Sequence, residues 1–172
     1  FRSLVSKSTA ADSPMRKWFL ENCSPGKFRG AMSEALKGAD VFIGVSISNV
    51  ISEADVKSMA PGSIVFALAN PDPEVDPTIA RKYAAVVATG RSDQPNQINN
   101  VLAFPGIFRG LLDARINKIT DGMLVNAAEA IASCVTSEQL NSNFIVPSVF
   151  DQSVVTKVAA AVRSEEHTSE LQ

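Results

Sequence analysis

The sequence predicts an α/β protein built on a doubly wound parallel sheet, with helices after the sheet. Between residues 33 and 88, apolar runs of strand length alternate with helical segments of about eight residues, as in parallel β-α-β units. The runs lack polar alternation, which indicates strands buried on both faces. Beyond residue 100 the apolar residues recur at helical spacing instead. The sheet therefore belongs to the first part of the chain.

Composition sets broad limits on the function. The 172 residues are 45% hydrophobic and 20% charged, with a net charge of -2, typical of one globular domain. This charge gives no reason to expect nucleic acid or an anionic membrane as a partner. The sequence has neither a signal-peptide pattern nor an apolar run near the roughly 20 residues that a spanning helix needs. We expect a cytoplasmic protein.

Cysteine and histidine usage predicts neither a disulfide nor a zinc site. Cys23 and Cys134 are far apart and form no C-x-x-C pair, and the only histidine is His167 in a polar tail. Two reduced cysteines are the simplest interpretation. Since the chain begins at Phe1 without a strand-and-glycine pattern, we interpret it as a fragment of a longer protein.

The three predicted strands follow one another through short helices. The strands run from Val41 to Val45, from Ile64 to Leu68 and from Ala85 to Ala88. Capping patterns predict one helix before the first strand and one in each of the two connections. These are a helix from 33 to 37 ended by Gly38, one opened by Ser52 to Asp55 and closed at Pro61-Gly62, and one from the N-cap Asp76 and Pro77 to about Tyr83.

After residue 100 the pattern predicts helices only. We predict one from Ile107 to Ala114 with Leu111 and Leu112 inward, and one from Asp121 to Cys134. The second should bury Met123, Leu124, Ala127, Ala130 and Ile131. An extended link then precedes a last amphipathic helix over 154–162. Near the N-terminus, residues 16–21 could form a short helix after Pro14.

Residues 163–172 change to a polar composition. The ten residues resemble the translation of a sequencing-adapter read, although a natural disordered tail has the same character. We leave them out of the interpretation of fold and function. The predicted domain therefore covers residues 1–162.

Polar loops follow the predicted strands at one edge of the sheet. Because right-handed crossovers place the carboxyl ends of parallel strands on one rim, Val45-Ser46, Ala69-Asn70-Pro71 and the loop from Thr89 to Asn100 should converge. The last of these loops carries Asn96, Gln97, Asn99 and Asn100. A single Asn in a loop is most often a turn residue. A cluster of amides can also hold carboxylates and hydroxyls without transferring a proton.

Several motifs in order resemble the nicotinamide-cofactor-binding domain of bacterial malic enzymes. They are Ala39 to Ser46, Phe66 to Pro71, Thr89 to Asp93 and Asn99 to Gly106. The likeness covers roughly residues 28–160. It implies a partial Rossmann-like fold and the oxidative decarboxylation of malate to pyruvate and carbon dioxide, with hydride passing to NAD or NADP and Mg or Mn holding the substrate. It also implies a homo-oligomeric parent enzyme.

The resemblance also assigns roles to residues at matching positions. Asn70 and Asn100 would contact malate and the nicotinamide end of the cofactor, and Asn99 is a weaker candidate for the cofactor. Gly44, Val45 and Ser46 would line the cofactor channel, where a small side chain lets the dinucleotide lie against the backbone.

The resemblance leaves the most reactive groups outside this chain. The family's tyrosine acid, lysine base, metal ligands and glycine-rich fingerprint lie upstream of Phe1, and no G-x-G-x-x-G follows a predicted strand here. The acids and lysines present are expected mostly in helix caps and on solvated faces. We therefore assign no catalytic residue and no metal ligand, and expect the isolated chain to be inactive and poorly stable.

Two other interpretations stay open at the level of the sequence. One is another dehydrogenase with a parallel sheet, because this architecture hosts many functions. The other is a binding or assembly module without catalysis of its own.

Overall fold

The computed structural model describes Trp18, Asn22, Phe28 and residues 30–169, with side chains as far as Glu165. The predicted helix over 16–21 and Cys23 therefore lie largely or wholly outside the described residues. None of the described helices is long and apolar enough to span a membrane.

A three-stranded parallel sheet in the order β1-β2-β3 organises the first half of the chain. Its strands are β1 (Val41–Gly44), β2 (Ile64–Ala67) and β3 (Val86–Thr89). Val41 pairs with Ile64, which in turn pairs with Val86. All three strands lie within one residue of their predicted positions, and the predicted α/β class with a parallel sheet is confirmed.

The two helices between the strands begin where their caps predict. They are α2 (Glu53–Lys57) and α3 (Pro77–Ala80), whereas α1 (Met32–Leu36), before β1, begins one residue earlier than predicted. Asp55 and Ser52 form the predicted capping box, in which the Ser52 N–H donates to Asp55 Oδ2 over 2.7 Å. Asp76 caps α3 by accepting from the Thr78 N–H. Helix α3 ends three residues earlier than predicted, because turns replace it from Arg81 onward.

One side of β1 is exposed, contrary to the prediction of a strand buried on both faces. Val41 and Ile43 are 50% and 58% exposed, whereas Phe42 between them packs against the core under the sheet. A continuous apolar run is buried on both faces only where another layer packs on each face. The described residues provide no layer over this side of β1. The sheet core itself is formed by Val65, Val87 and their neighbours.

The C-terminal half forms a second core made of helices. These are α4 (Phe104–Ala114), α5 (Asp121–Ala132) and α6 (Gln152–Ser169), with a short 3₁₀ helix at Asn100–Leu102 before α4. Gly106 and Gly110 let α4 approach α6, since a Cβ on Gly110 would lie 2.7 Å from the Ala159 carbonyl oxygen. The close approach is backbone to backbone and leaves no room for a side chain.

Two leucines predicted to point inward are exposed. Leu112 on α4 and Leu124 on α5 are 76% and 49% exposed, whereas Leu111 and Met123 are buried as predicted. Both helices bury a narrow stripe, because each packs mainly against α6 on one side. Adjacent positions on a helix point about 100° apart, so only one residue of each pair reaches that side.

The last helix continues past the predicted end at residue 162. Helix α6 runs through Ser169 and so includes most of the polar segment that we set aside. Within it, Glu165 accepts a hydrogen bond of 2.8 Å from Asn126 on α5. The first residues of this segment therefore contact the helical core.

Candidate active site

The loops after β2 and β3 enclose one open cleft of about 620 Å³. Its lining includes Asn70 from the first loop and Gly90, Asn99 and Asn100 from the second. The predicted convergence of these two loops is therefore observed. It follows from the parallel register, which places Ala67 beside Thr89 at the carboxyl ends of the two strands.

The amides of Asn70 and Asn100 are free to bind a ligand. Both side chains are exposed in the cleft. Neither makes a hydrogen bond to any residue in the described part of the chain. Each carboxamide offers two N–H donors and one carbonyl acceptor, which are groups that can bind carboxylates and hydroxyls.

The Asn99 side chain caps a helix with its oxygen and faces the cleft. Its Oδ1 accepts from the Val101 N–H over 3.0 Å and caps the 3₁₀ helix that carries Asn100. Its amide nitrogen has no partner among the described residues and stays available in the cleft. Asn99 therefore orients its neighbour and offers one donor pair of its own.

Asn96 does not line the cleft, contrary to the expectation for the whole amide cluster. It is buried with φ of 57° and uses both its amide nitrogen and its oxygen inside the protein. Its amide donates to the carbonyls of Val87 and Ser142, and its oxygen accepts from the Ile145 N–H at 3.0 Å. Asn96 ties the cleft loop to the segment before α6.

Gly44, Val45 and Ser46 do not line this cleft. They lie at the end of β1, where Val45 is exposed and Gly44 is buried. The space that a Cβ on Gly44 would need is filled by the Glu74 side chain, 2.5 Å from the calculated Cβ position. Glycine is thus required here by an internal contact, and the cofactor-binding role of the three residues stays a prediction.

Sequence reasoning missed Glu74, a fully buried acid. It was expected that acids lie in helix caps and on solvated faces. Glu74 instead accepts hydrogen bonds from the Ser46 N–H at 2.8 Å and the Ala69 N–H at 3.0 Å. The sequence offered little signal, because Glu74 stands between Asp72 and Asp76, two exposed acids of the same loop.

Arg91 was also missed, although it lies within a motif singled out in the sequence. Its guanidinium donates to both carboxylate oxygens of Asp93 at 2.8 Å and lies 3.5 Å from Asp72. This pairing raises the pKa of Arg91, and the same hydrogen bond lowers the pKa of Asp93. Arg91 therefore joins the loop after β3 to the loop after β2.

The described residues do not fit a metal ion. No group of three or more His, Cys, Asp or Glu side chains comes together in the part of the chain that the structure describes. The cleft is a site of amides and backbone groups beside one paired arginine.

Comparison with known proteins identifies the family. The family profile described as "Malic enzyme, NAD binding domain" matches residues 31–166. The chain is 49% identical to the NAD-dependent malic enzyme of Geobacillus stearothermophilus over 92% of its length, and 42% identical to the NADP-dependent malic enzyme of Rhizobium meliloti over 78%. The structure of Entamoeba histolytica malic enzyme superposes with a TM-score of 0.85 at 37% identity over 91% of the chain.

The chain spans only part of these relatives. It covers 33% of the Geobacillus enzyme, 20% of the Rhizobium enzyme and 33% of the Entamoeba chain. The matched part is the one that the family profile assigns to dinucleotide binding, and it contains the Asn70 and Asn100 cleft. The chain therefore belongs to the malic enzyme family and forms part of its NAD-binding domain.

Proposed function

We propose that this chain is the part of a malic enzyme that holds malate against the nicotinamide of NAD or NADP. The reaction is the oxidative decarboxylation of malate to pyruvate and carbon dioxide. The single observation that supports this role most strongly is the pair of uncommitted carboxamides, Asn70 and Asn100, in one cleft at the ends of adjacent parallel strands. Ligands of open α/β sheets bind at this edge.

The amides suit a substrate with two carboxylates and a hydroxyl. Amide N–H groups donate to carboxylate oxygens, and an amide carbonyl accepts from the C2 hydroxyl. Held in this way, malate can present its C2 hydrogen to the nicotinamide ring. The dinucleotide, when bound, would accept the C2 hydride. Malate would also lose the hydroxyl proton, cleavage of the C3–C4 bond would release carbon dioxide, and the remaining enolate would take up a proton at C3 to give pyruvate. The contribution of this chain is orientation, which lowers the entropic part of the barrier.

Charge in the cleft supports orientation by hydrogen bonds over direct ion pairing. Among the described residues lining the cleft, the charged side chains are Arg91 and Asp93, and they are paired with each other. The positive charge of Arg91 is thereby balanced by Asp93. Amide donors can bind carboxylates without replacing such a pair, so Asn70 and Asn100 are the residues assigned to the substrate.

Cofactor and assembly follow the same proposal. Both NAD-dependent and NADP-dependent malic enzymes are among the relatives, and we assign Gly44, Val45, Ser46, Asn70 and Asn99 to the dinucleotide. We expect ligands other than the residues assigned here to hold the Mg or Mn ion of the parent enzyme. A cytoplasmic, homo-oligomeric parent enzyme stays a prediction, as does the inactivity of the isolated chain.

Substitution of the two amides in the full-length enzyme tests the proposal. Asn70→Ala and Asn100→Ala should each lower kcat/KM for malate by at least about tenfold, because a hydrogen bond to a charged group contributes about 1.5–3 kcal/mol. The matched control is Asn117→Ala, at an exposed position outside the cleft, which should keep wild-type kinetics. Wild-type kcat/KM in both cleft variants would contradict the proposed function.

A further inference from the structure

Glu74 joins the ends of β1 and β2 through both oxygens of its carboxylate. Oε1 accepts from the Ser46 N–H at 2.8 Å and from the Ser46 hydroxyl at 3.3 Å. Oε2 accepts from the Ala69 N–H at 3.0 Å. One side chain thus spans from the first residues after β1 to the residue directly before Asn70.

Burial makes this link specific. Glu74 is fully buried, so its oxygens depend on these three donors in place of water. The backbone of Glu74 is fixed as well, because its carbonyl accepts from the Ile51 N–H at 3.2 Å. Gly44 leaves the space that the carboxylate occupies. The carboxylate therefore has a defined position from which it holds two loops.

Only one of the two loops is assigned to malate in the proposed function. Ser46 lies with Gly44 and Val45 in a segment assigned to the dinucleotide alone, and Asn70 lies in the segment assigned to malate as well as to the dinucleotide. Asn70 follows Ala69 directly, so a shift of the Ala69 N–H moves the Asn70 backbone with it. The distance between cofactor and substrate is therefore set partly by the span of one carboxylate.

Resting on the proposed function, we propose that Glu74 is a positioning residue that fixes the substrate loop relative to the cofactor loop in malic enzyme catalysis. It touches neither ligand and transfers no proton. Its effect on the reaction comes from geometry, because misplacement of a reacting group by about 1 Å can lower a rate by about a hundredfold.

The Glu74→Gln variant of the full-length enzyme tests this role. Glutamine keeps the shape, but its amide nitrogen can only donate, so either the Ser46 or the Ala69 N–H loses its acceptor. We expect KM for malate and KM for the dinucleotide to rise together, and kcat/KM for malate to fall between about tenfold and about a hundredfold.

The matched control is Glu53→Gln. Glu53 is exposed on α2 and accepts from the Tyr83 hydroxyl at 2.7 Å, away from the cleft. This variant has the same change of chemistry and should keep wild-type KM values. A merely structural role of Glu74 would lower the amount of folded enzyme, and hence the apparent kcat, without changing KM. Wild-type KM values in Glu74→Gln would overturn the proposal.

Hydrogen exchange on the wild-type full-length enzyme needs no variant. The Ser46 and Ala69 amides lie outside the strands, yet both should exchange slowly because Glu74 accepts from them. Exchange at the rate of an open loop at either amide would overturn the proposal. An enzyme that fails to turn over malate while these amides stay protected would contradict the proposed function and leave the Glu74 link intact, so the two failures are distinguishable.

Discussion

The sheet and the C-terminal helices bury their apolar residues in different ways. The sheet core depends on valines and alanines of short strands, and it leaves Val41 and Ile43 exposed on one side. The helical core depends on close contact of α4 with α6 at Gly106 and Gly110. The cleft residues belong to the sheet region, on loops that contribute little to either core. The residues that form the two cores are therefore different from those proposed to bind ligands.

Asn96 is the place where the two regions depend on each other. It connects the carbonyl of Val87 in β3 to Ser142 and Ile145 before α6. The comparison thus predicts that substitutions at this junction affect both stability and binding. Substitutions within the helical core should affect only stability.

The largest effect is expected for Asn96→Ala in the full-length enzyme. The substitution removes three hydrogen bonds, leaves their buried backbone partners unsatisfied and places alanine at a positive φ. Together these changes should lower the free energy of unfolding by about 3 kcal/mol. KM for malate should rise as well, because the cleft loop loses its anchor. Denaturant unfolding and steady-state kinetics measure the two effects. Asn96→Asp would place a buried carboxylate oxygen against the Val87 and Ser142 carbonyls and should lose at least as much stability. A wild-type midpoint for Asn96→Ala would refute the junction.

Gly110→Ala should rank second and affect stability alone. The gain in helix propensity, about 1 kcal/mol, is smaller than the cost of overpacking a backbone contact, about 3 kcal/mol. We expect a net loss of about 2 kcal/mol in thermal or denaturant unfolding, with KM unchanged.

Gly122→Ala is the matched comparison within the helical region. Its Cβ would meet only the flexible end of Glu165, which can move aside. It should be close to neutral, and an equal loss in the two glycine variants would show that packing of α4 on α6 is not what sets the cost.

Loss of a helix N-cap should lower the free energy of unfolding equally in both regions. Ser52→Ala removes the acceptor of the Asp55 N–H in the sheet region, and Thr120→Ala removes the acceptor of the Met123 N–H at the start of α5. Each should lower the free energy of unfolding by about 1 kcal/mol. Unequal losses, measured by denaturant unfolding, would mean that one of the two regions unfolds before the other.

The smallest effect is expected from acid titration of Asp93. Arg91 lowers the pKa of this carboxyl in the folded protein, so the pair stabilises the fold above the ordinary Asp pKa of about 4 and loses its contribution as the pH falls through the lowered value. Both side chains are substantially exposed, and the contribution is correspondingly small. Asp93→Asn should flatten this part of the stability profile, and a steeper profile would contradict the assignment.

Local patterns predicted most of the secondary structure. The capping box at Ser52, the Asp76-Pro77 start of α3 and the left-handed Gly38 after α1 are decided by interactions between neighbouring residues, which a sequence displays directly. Strand positions were equally accessible, since their apolar runs end at turn residues. The same reasoning predicted that Asn70 and Asn100 share one edge.

The sequence by itself determined the α/β order, the parallel sheet and the resemblance to malic enzymes. Tertiary structure decided which apolar residues are buried and which polar residues are free. Val41, Leu112 and Leu124 match buried neighbours in type but face no packed layer among the described residues. Asn96 and Asn100 are the same residue type in one loop. The Asn96 amide donates a hydrogen bond to the backbone of Ser142, far along the chain, whereas the Asn100 amide stays in the cleft. Hydrogen-bond partners far apart along the chain make that difference. The same holds for Glu74, which is buried because Ser46, far earlier in the chain, donates to it.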